Sequence, residues 1–452
     1  MTHHEPSTPI DAKRSKRIER IYVILSGDDR YERSCSKIPE SDCTNLPKNY
    51  LLNIINGSAS KLAEQVASAK LAIPWLMGAL GAPALLVGLL LPLRQAGTLL
   101  PQLAVSGTIR SFPIRKWFWA GAALVQALML LVIVAASALP PTAAGVVMVT
   151  GLLIFSMARG VGSVAFQDVT GKTIPKGKRG KLLAARGMIG GLLTIAAGIL
   201  LKAYSGASSG PQPALILICC GAVLWVVAAL AFAAVKEAPG AVGGGRTPLK
   251  EAAAGLALLR REVWFRRFLL VRTALLSVEL ASPFYVLYAK TQFSSQGGVL
   301  GSIIIAAGLS AALSSPIWGR FADLSSRKVL AISGMLGALA GFSALGLGML
   351  PADLRSPLWM AGVFMLLGFA EAGVLLGRKT YLIDRVDDRQ RSTYVAFANS
   401  AIGIIALSFG GLGIIAQAFG IQWLIAAIAI LAGAGGFLSW SLPEASTSQE
   451  SS

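Results

Sequence analysis

The chain is divided into apolar runs of about twenty residues, each long enough to cross the roughly 30 Å hydrocarbon core of a bilayer as a helix. Twelve runs can be placed, at about 50–78, 83–105, 117–139, 142–166, 182–204, 213–235, 268–290, 298–319, 329–350, 357–377, 394–418 and 421–441. Only 14% of the residues are charged, against about 25% in soluble domains. The sequence therefore predicts an all-α polytopic membrane protein and excludes a soluble-core fold.

A net charge of +19 would suit a nucleic-acid partner if it formed a patch, but its distribution follows the spans instead. Of the 41 Lys and Arg residues, 32 fall in the two termini and the even-numbered loops, while only Lys202, Lys290 and Arg355 lie in or beside odd-numbered loops. This asymmetry predicts that both termini are cytoplasmic. The expected setting is a bacterial cytoplasmic (inner) membrane, with a monomer in the lipid bilayer and no nucleic-acid partner. The expected organisation is a cytoplasmic N-terminal segment (1–49), a six-helix bundle (50–235), a cytoplasmic linker (236–267), a second six-helix bundle (268–441) and a disordered tail (442–452). The apolar run 21–25 is too short for a signal peptide. The basic cluster 13–20 suits either anionic headgroups or a disordered tail.

Between the eighth and ninth runs lies GRFADLSSRK, residues 319–328. A ten-residue loop here must turn sharply. Gly319 would allow close helix approach, Asp323 would face the positive end of a nearby helix, and Arg327 and Lys328 would hold the loop in the cytoplasm. Subtracting 212 reaches GTIRSFPIRK, where Gly107, Arg115 and Lys116 match Gly319, Arg327 and Lys328, and Ser111 replaces Asp323. The same offset maps Arg159 onto Glu371 and Arg179 onto Arg391. A fixed offset points to an internal duplication, as in many transporters, with a binding site between the halves.

The loop at Gly319, Asp323, Arg327 and Lys328 resembles the signature loop of the major facilitator superfamily (MFS), G-x-x-x-D-R-x-G-R-K, departing from it at Leu324 and Ser326. The resemblance implies two pseudo-symmetric six-helix bundles that rock around a central site, with the two signature loops closing the cytoplasmic side. It also implies that helices 1, 4, 7 and 10 line the cavity, which puts Glu64, Arg159, Glu279 and Glu371 there. Family exporters of drugs by proton antiport typically carry a Gly-Pro pair on helix 5, and this fifth run has no proline.

The residues themselves add to this reading. In the first run Asn53, Asn56, Ser60, Lys61, Glu64 and Ser68 recur at three- and four-residue steps, forming one polar stripe on a helix. Its charges must face a cavity or partner helices, because each costs about 2.5–3.5 kcal/mol at the bilayer centre. Lys61 and Glu64 can pair with each other. Arg94 lies near mid-depth between Pro92 and Pro101, available to neutralise Glu64 or to bind an anion. Arg272 can snorkel to the cytoplasmic edge. Glu371, as a lone acid, would suit a proton carrier, or would form an ion pair with Arg159 or Arg272. The in-span charges Lys61, Lys70, Arg94, Arg159 and Arg272 outnumber Glu64, Glu279 and Glu371. This excess leans toward an organic anion, which arginine can hold bidentately.

The expected function is secondary active transport of a small organic solute by alternating access, coupled to protons as symport or antiport. The alternatives are proton-coupled efflux of amphipathic or cationic compounds and, from another class, a non-transporting sensor or scaffold. No enzymatic activity, cofactor or metal is expected. Histidine occurs only at His3 and His4, Cys35 and Cys43 are too widely spaced for a C-x-x-C site, and Cys219 and Cys220 read as packing residues. Gly171-Lys172-Thr173 lacks the glycine five residues earlier that a phosphate-binding loop needs; Phe166 stands there.

Overall fold

A computed structural model describes residues 22–23, 45–175, 179–205, 210–239, 259, 261–293, 298–351, 354–386 and 388–444. Its regular structure is helical. The N-terminal half contains α1 (Leu46–Val66), α2 (Ala72–Leu80), α3 (Ala84–Arg110), α4 (Lys116–Ala135), α5 (Pro141–Thr173), α6 (Arg179–Ser205) and α7 (Gln212–Ala233). The C-terminal half contains α8 (Val263–Leu280), α9 (Ser282–Gln292), α10 (Val299–Leu324), α11 (Ser326–Met349), α12 (Pro357–Arg385), α13 (Asp388–Ser408), α14 (Leu412–Phe419) and α15 (Ile421–Ser439). Most of segments 1–49 and 236–267 and the tail after Glu444 lie outside the described residues, as do Cys35, Cys43 and the basic cluster 13–20.

Among the described residues, ten stretches are long and apolar enough to cross a membrane, so the expected twelve are not all matched on that measure. The two that fall short are the α1–α2 pair and α3. The polar stripe lowers the hydropathy of α1, and α2 has only 9 residues.

Two predicted spans are broken in the middle, each ahead of a proline. Between α8 and α9 it is Pro283, which has no N–H to donate and whose ring crowds the preceding turn. Between α1 and α2 it is Pro74, in the first turn of α2, which cannot donate to the Lys70 carbonyl. There the Ser68 hydroxyl also accepts the Lys70 N–H at 3.1 Å, and the Ser68 carbonyl takes the N–H groups of Leu71 (3.2 Å) and Ile73 (3.1 Å). The local bonding of a serine thus competes with the helical ladder, and the freed turn aims Lys70 inward.

Packing repeats between the halves. The pairs α3·α5, α4·α5, α4·α7 and α1·α7 recur as α10·α12, α11·α12, α11·α15 and α8·α15. The halves meet through α6·α10, α3·α13, α3·α14 and α2·α9. Much of this contact lies at the end of the bundle remote from α1's start, here termed the far end. Small residues let backbones approach there, as is usual in lipid. A Cβ on Gly413 would lie 2.6 Å from the Leu85 Cα, and one on Gly301 would lie 2.9 Å from the Lys202 backbone N. The Lys290 ammonium of α9 sits 5.3 Å from the Trp75 ring centroid of α2. Left-handed glycines, Gly81 (φ 75°) and Gly420 (φ 96°), make the tight turns behind α2 and α14.

The signature segment is not a ten-residue loop. Helix α10 runs through Leu324 and α11 starts at Ser326, so the turn is Ser325 alone, whose hydroxyl accepts the Lys328 N–H at 3.3 Å. Nor does Gly319 serve close helix approach, since a Cβ there would meet nothing within 4 Å.

Candidate functional site

Two connected lobes occupy the seam between the halves. The first, about 260 Å³, is lined by Glu64, Ser68, Lys70, Arg94, Ser282 and Glu371 among others. The second, about 550 Å³, is lined by Arg94, Arg159, Arg272, Glu279, Arg378 and Lys379 among others. Lys70, Arg94 and Leu375 line both lobes. Because Lys379 is exposed and sits near the end of α12 remote from the far-end contacts, the second lobe reaches the surface on that side.

Helix periodicity explains how α12 supplies both lobes. Glu371, Leu375, Arg378 and Leu382 fall at steps of four, three and four, which keeps them on one face. On α1 the stripe divides. Asn56 turns away from the lobes and donates to the Ala228 carbonyl at 3.0 Å while accepting from Arg186 at 3.2 Å. Asn49 exchanges two bonds of 2.9 Å with the Lys236 backbone. Of the charged pair, only Glu64 faces a lobe. Lys61 lies 3.8 Å from Glu64 with 55% of its side chain exposed, and it lines neither lobe.

Each acid in the seam is paired. Glu64 lies 2.7 Å from Arg159 within the N-terminal half. Glu279 takes Nη1 of Arg378 on both oxygens, at 2.7 and 3.0 Å, within the C-terminal half. Glu371 bonds Lys70 across the seam and accepts the Ser282 hydroxyl at 2.5 Å. Its partner is therefore neither Arg159 nor Arg272, the two that the sequence suggested. The break between α1 and α2 brings Lys70 to it instead.

Two arginines of the lobes make no direct ion pair with a carboxylate among the described residues, although Glu64 and Glu371 act on Arg94 and Glu279 acts on Arg272 electrostatically. Arg94 makes no side-chain hydrogen bond or ion pair among the described residues, because Arg159 already occupies Glu64. Arg272 does not snorkel to the edge: it is 6% exposed, donates to the Asn399 amide oxygen at 2.9 Å, and leaves its buried Nε without a partner. Across both lobes six cations (Lys70, Arg94, Arg159, Arg272, Arg378, Lys379) face three carboxylates (Glu64, Glu279, Glu371), a net charge of +3. Sequence reasoning passed over Arg378 and Lys379 as loop residues because it ended the tenth span at 377. Their spacing from Glu371 on one helix face was the available signal.

The gate candidates sit apart from these lobes. Arg115 bonds Asp168 at 3.0 Å. The backbone N–H groups of Arg115 and Lys116 donate to Glu237 at 2.9 and 2.8 Å, and Lys172 reaches the same carboxylate at 2.7 Å. Arg327 lies 2.6 Å from Glu444 and donates to the Leu442 carbonyl at 3.0 Å, while Lys328 is exposed. These contacts tie each loop to the end of the last helix of its own half. Glu237 and Glu444, which the sequence reading missed, are the acceptors. The side-chain surroundings of Gly107 and Asp323, and the expected bracing by Asp323, lie outside the described residues.

Residues 268–452 match the sequence model of the Major Facilitator Superfamily. Uncharacterized proteins of Mycobacterium tuberculosis and Mycobacterium bovis are each 25% identical over 323 residues, 69% of this chain. The match spans 61% of the length of those relatives. Among solved structures, the nucleoside transporter NupG aligns with a TM-score of 0.67 at 12% identity, covering 87% of this chain and 99% of NupG. A POT family transporter aligns at 0.65 and 11% identity over 91% of this chain and 99% of its own. The inward open xylose transporter XylE of E. coli aligns at 0.61 and 13% identity, over 87% and 96%.

Proposed function

We propose that the protein is a secondary transporter of a small organic anion working by alternating access, a reading supported by the match of residues 268–452 to the Major Facilitator Superfamily and by the likeness of its fold to solved transporters. The observation that carries the anion reading is the pair Arg94 and Arg272, one from each half, which face a shared cavity of net charge +3 and make no direct ion pair there. Arginine left in this state is costly to bury unless an anion completes it. Neighbours that by name transport nucleosides, peptides and xylose support a transporter rather than an enzyme or a scaffold, and at 11–13% identity they do not choose the cargo. The charge asymmetry supports cytoplasmic termini, and in that orientation the far end would be periplasmic and the cavity would face inward. Efflux of lipophilic cations is the weaker reading, since each acid a cation would use already has a base.

A thermal-shift screen of the detergent-purified protein tests this, because a ligand of the folded state raises its apparent stability. Small organic anions are expected to raise the melting temperature of the wild type, and Arg94→Gln is expected to abolish the rise. Stabilisation by lipophilic cations alone would retire the anion reading. Flux in proteoliposomes separates a transporter from a sensor.

Proton coupling would run through Glu371. Its partner Lys70 belongs to the other half, so a movement that separates the halves would break this bond and link Glu371 to the transport cycle. Transport driven by a pH gradient should become independent of that gradient in Glu371→Gln. A wild-type rate indifferent to pH and to a protonophore would remove Glu371 from this role.

A further inference from the structure

The N-terminal half encloses a buried cation away from the seam. Arg186, on α6, is 7% exposed, lines neither lobe and makes no direct ion pair among the described residues. Glu64 acts on it electrostatically but is held by Arg159 at 2.7 Å. The guanidinium fills the wedge where α1, α5 and α6 meet. Its Nη2 donates to the Asn56 amide oxygen of α1 at 3.2 Å, and the group lies 4.3 Å from the Phe166 ring centroid of α5. The wedge is shaped for it, because a Cβ on Gly57 would collide with the Arg186 side chain. The other nitrogen, Nη1, is buried without a partner. One turn away from the far end, on the same helix faces, the Thr170 hydroxyl of α5 and the Asn53 amide oxygen of α1 are buried and unpartnered, and on the next turn of α1 so is the Tyr50 hydroxyl. Buried polar groups nearly always find a partner. Rearranging these four among themselves supplies hydrogen bonds but no negative charge for the arginine.

We infer that this wedge is a binding site for one small inorganic monoanion, of the size of chloride, held by Arg186 inside the N-terminal half. The single guanidinium sets the charge, since a buried cation is strongly unfavourable until it is paired. The closed surroundings set the size: all four unpartnered atoms are shielded from solvent, and no organic body fits beside them. Nη1 and the hydroxyls of Thr170 and Tyr50 supply hydrogen-bond donors for the ion, and a shift of the flexible Arg186 side chain makes its place. Tyr22 closes the site on the side away from the far end. It packs edge-on against Tyr50, with ring centroids 5.2 Å apart, and joins Leu46, Ile54, Ile174 and Leu182 in an apolar cluster separate from the main core. The ion is therefore a fixed part of its half and not a cargo. It ties α1 to α5 and α6 and lies off the path through the lobes, so the inference stands independently of the anion reading of the seam.

Halide stabilisation of the detergent-purified, full-length protein tests this. The protein is prepared in sodium HEPES, whose anion is too large for the wedge, and titrated with sodium chloride or sodium bromide at constant ionic strength. The melting temperature of the wild type should rise saturably with both halides, since binding to the folded state raises apparent stability. Arg94→Gln with Arg272→Gln, which removes the seam arginines that lack a direct ion pair, should keep the rise. Arg186→Gln should abolish it. Thr170→Val leaves the arginine in place and decides the matter if Arg186→Gln does not fold. It should raise the half-saturating chloride concentration about tenfold, as expected for one lost hydrogen bond to a charged group. Tyr22→Ala admits water to the site and should raise that concentration as well. A wild type indifferent to halide would overturn the site and leave the wedge a hydrated polar cluster. A rise that survives Arg186→Gln, or that disappears with Arg94→Gln and Arg272→Gln, would overturn it and assign the halide elsewhere. Unchanged half-saturation in both Thr170→Val and Tyr22→Ala would do the same. The anion reading of the seam is judged separately, by the organic-anion screen, whose response Arg186→Gln should leave intact.

Discussion

Substituting valine for Gly413 is expected to force the halves apart at the far end and to lower transport about tenfold or more. An added Cβ at this position would lie 2.6 Å from the Leu85 Cα and 2.7 Å from the Ala84 carbonyl oxygen. Both obstacles are backbone, so no rotamer change relieves them, and valine adds two further methyl groups. Overpacking of this kind costs about 1–3 kcal/mol where it cannot be relieved, which corresponds to roughly five- to 150-fold in a population or rate. Here a relief exists, because Gly413 and Leu85 belong to different halves. Separating α3 from α14 removes the clash without unfolding either half. The substitution should therefore act on the equilibrium between conformations more than on folding. With the four native cysteines replaced by serine, spin labels are placed at Thr142→Cys and Leu358→Cys, exposed far-end positions at the starts of α5 and α12, one in each half. Distances between them, measured by pulsed electron resonance, should lengthen in the Gly413→Val background, while the melting temperature stays near that of the wild type. Unchanged distances with full transport would mean that the far-end contact is not what holds this conformation. Gly88 provides a check from the opposite helix, since its Cβ would lie 2.9 Å from the Gly413 backbone N.

The glycine contacts show where the sequence was legible and where it was not. Length and charge distribution were enough to expect a helical membrane bundle, because a run near twenty apolar residues has few other uses. The duplication was visible in the fixed offset between Arg115-Lys116 and Arg327-Lys328. What could not be read were the contacts that depend on three-dimensional approach. Gly413 and Gly319 look alike in sequence, yet one meets a neighbouring backbone and the other meets nothing. The seam was half legible. Glu64 and Glu371 were named from their cost in lipid, Arg94 from its mid-depth position, and Arg159 and Glu279 from the resemblance, and all five line the two lobes. Their partners were not legible, because pairing depended on two local events. The serine-bonded break after α1 turned Lys70 toward Glu371, and the continuation of α12 to Arg385 carried Arg378 into the cavity. Lys61 failed for the converse reason: helical spacing put it beside Glu64, but its long side chain turns outward over Gly190, whose Cβ would lie 2.6 Å from that of Lys61.

Removing the Arg378 side chain alone is expected to cost more than removing both members of its pair. Glu279 is 7% exposed and both its oxygens are bonded by Arg378. Arg378→Ala leaves this carboxylate buried without its cation, a loss of about 3–5 kcal/mol for buried pairs. Replacing both residues by leucine removes the uncompensated charge and refills part of the volume, which in other proteins is often close to neutral. The Arg378→Leu and Glu279→Leu pair should thus show a coupling of about 2 kcal/mol or more in a double-mutant cycle. Denaturant titration in detergent, with the single variants and the double variant measured together, gives that number. Arg272 sits in the same lobe with a buried Nε that has no partner, so it is the residue able to move onto Glu279 when Arg378 is lost. A mild Arg378→Ala that becomes severe when combined with Arg272→Gln would overturn the expected loss and show that Arg272 has taken over Glu279. Additive effects across all of these variants would mean that Glu279 and Arg378 are neighbours without an energetic bond, and the charge balance drawn for the seam would lose one of its three pairs.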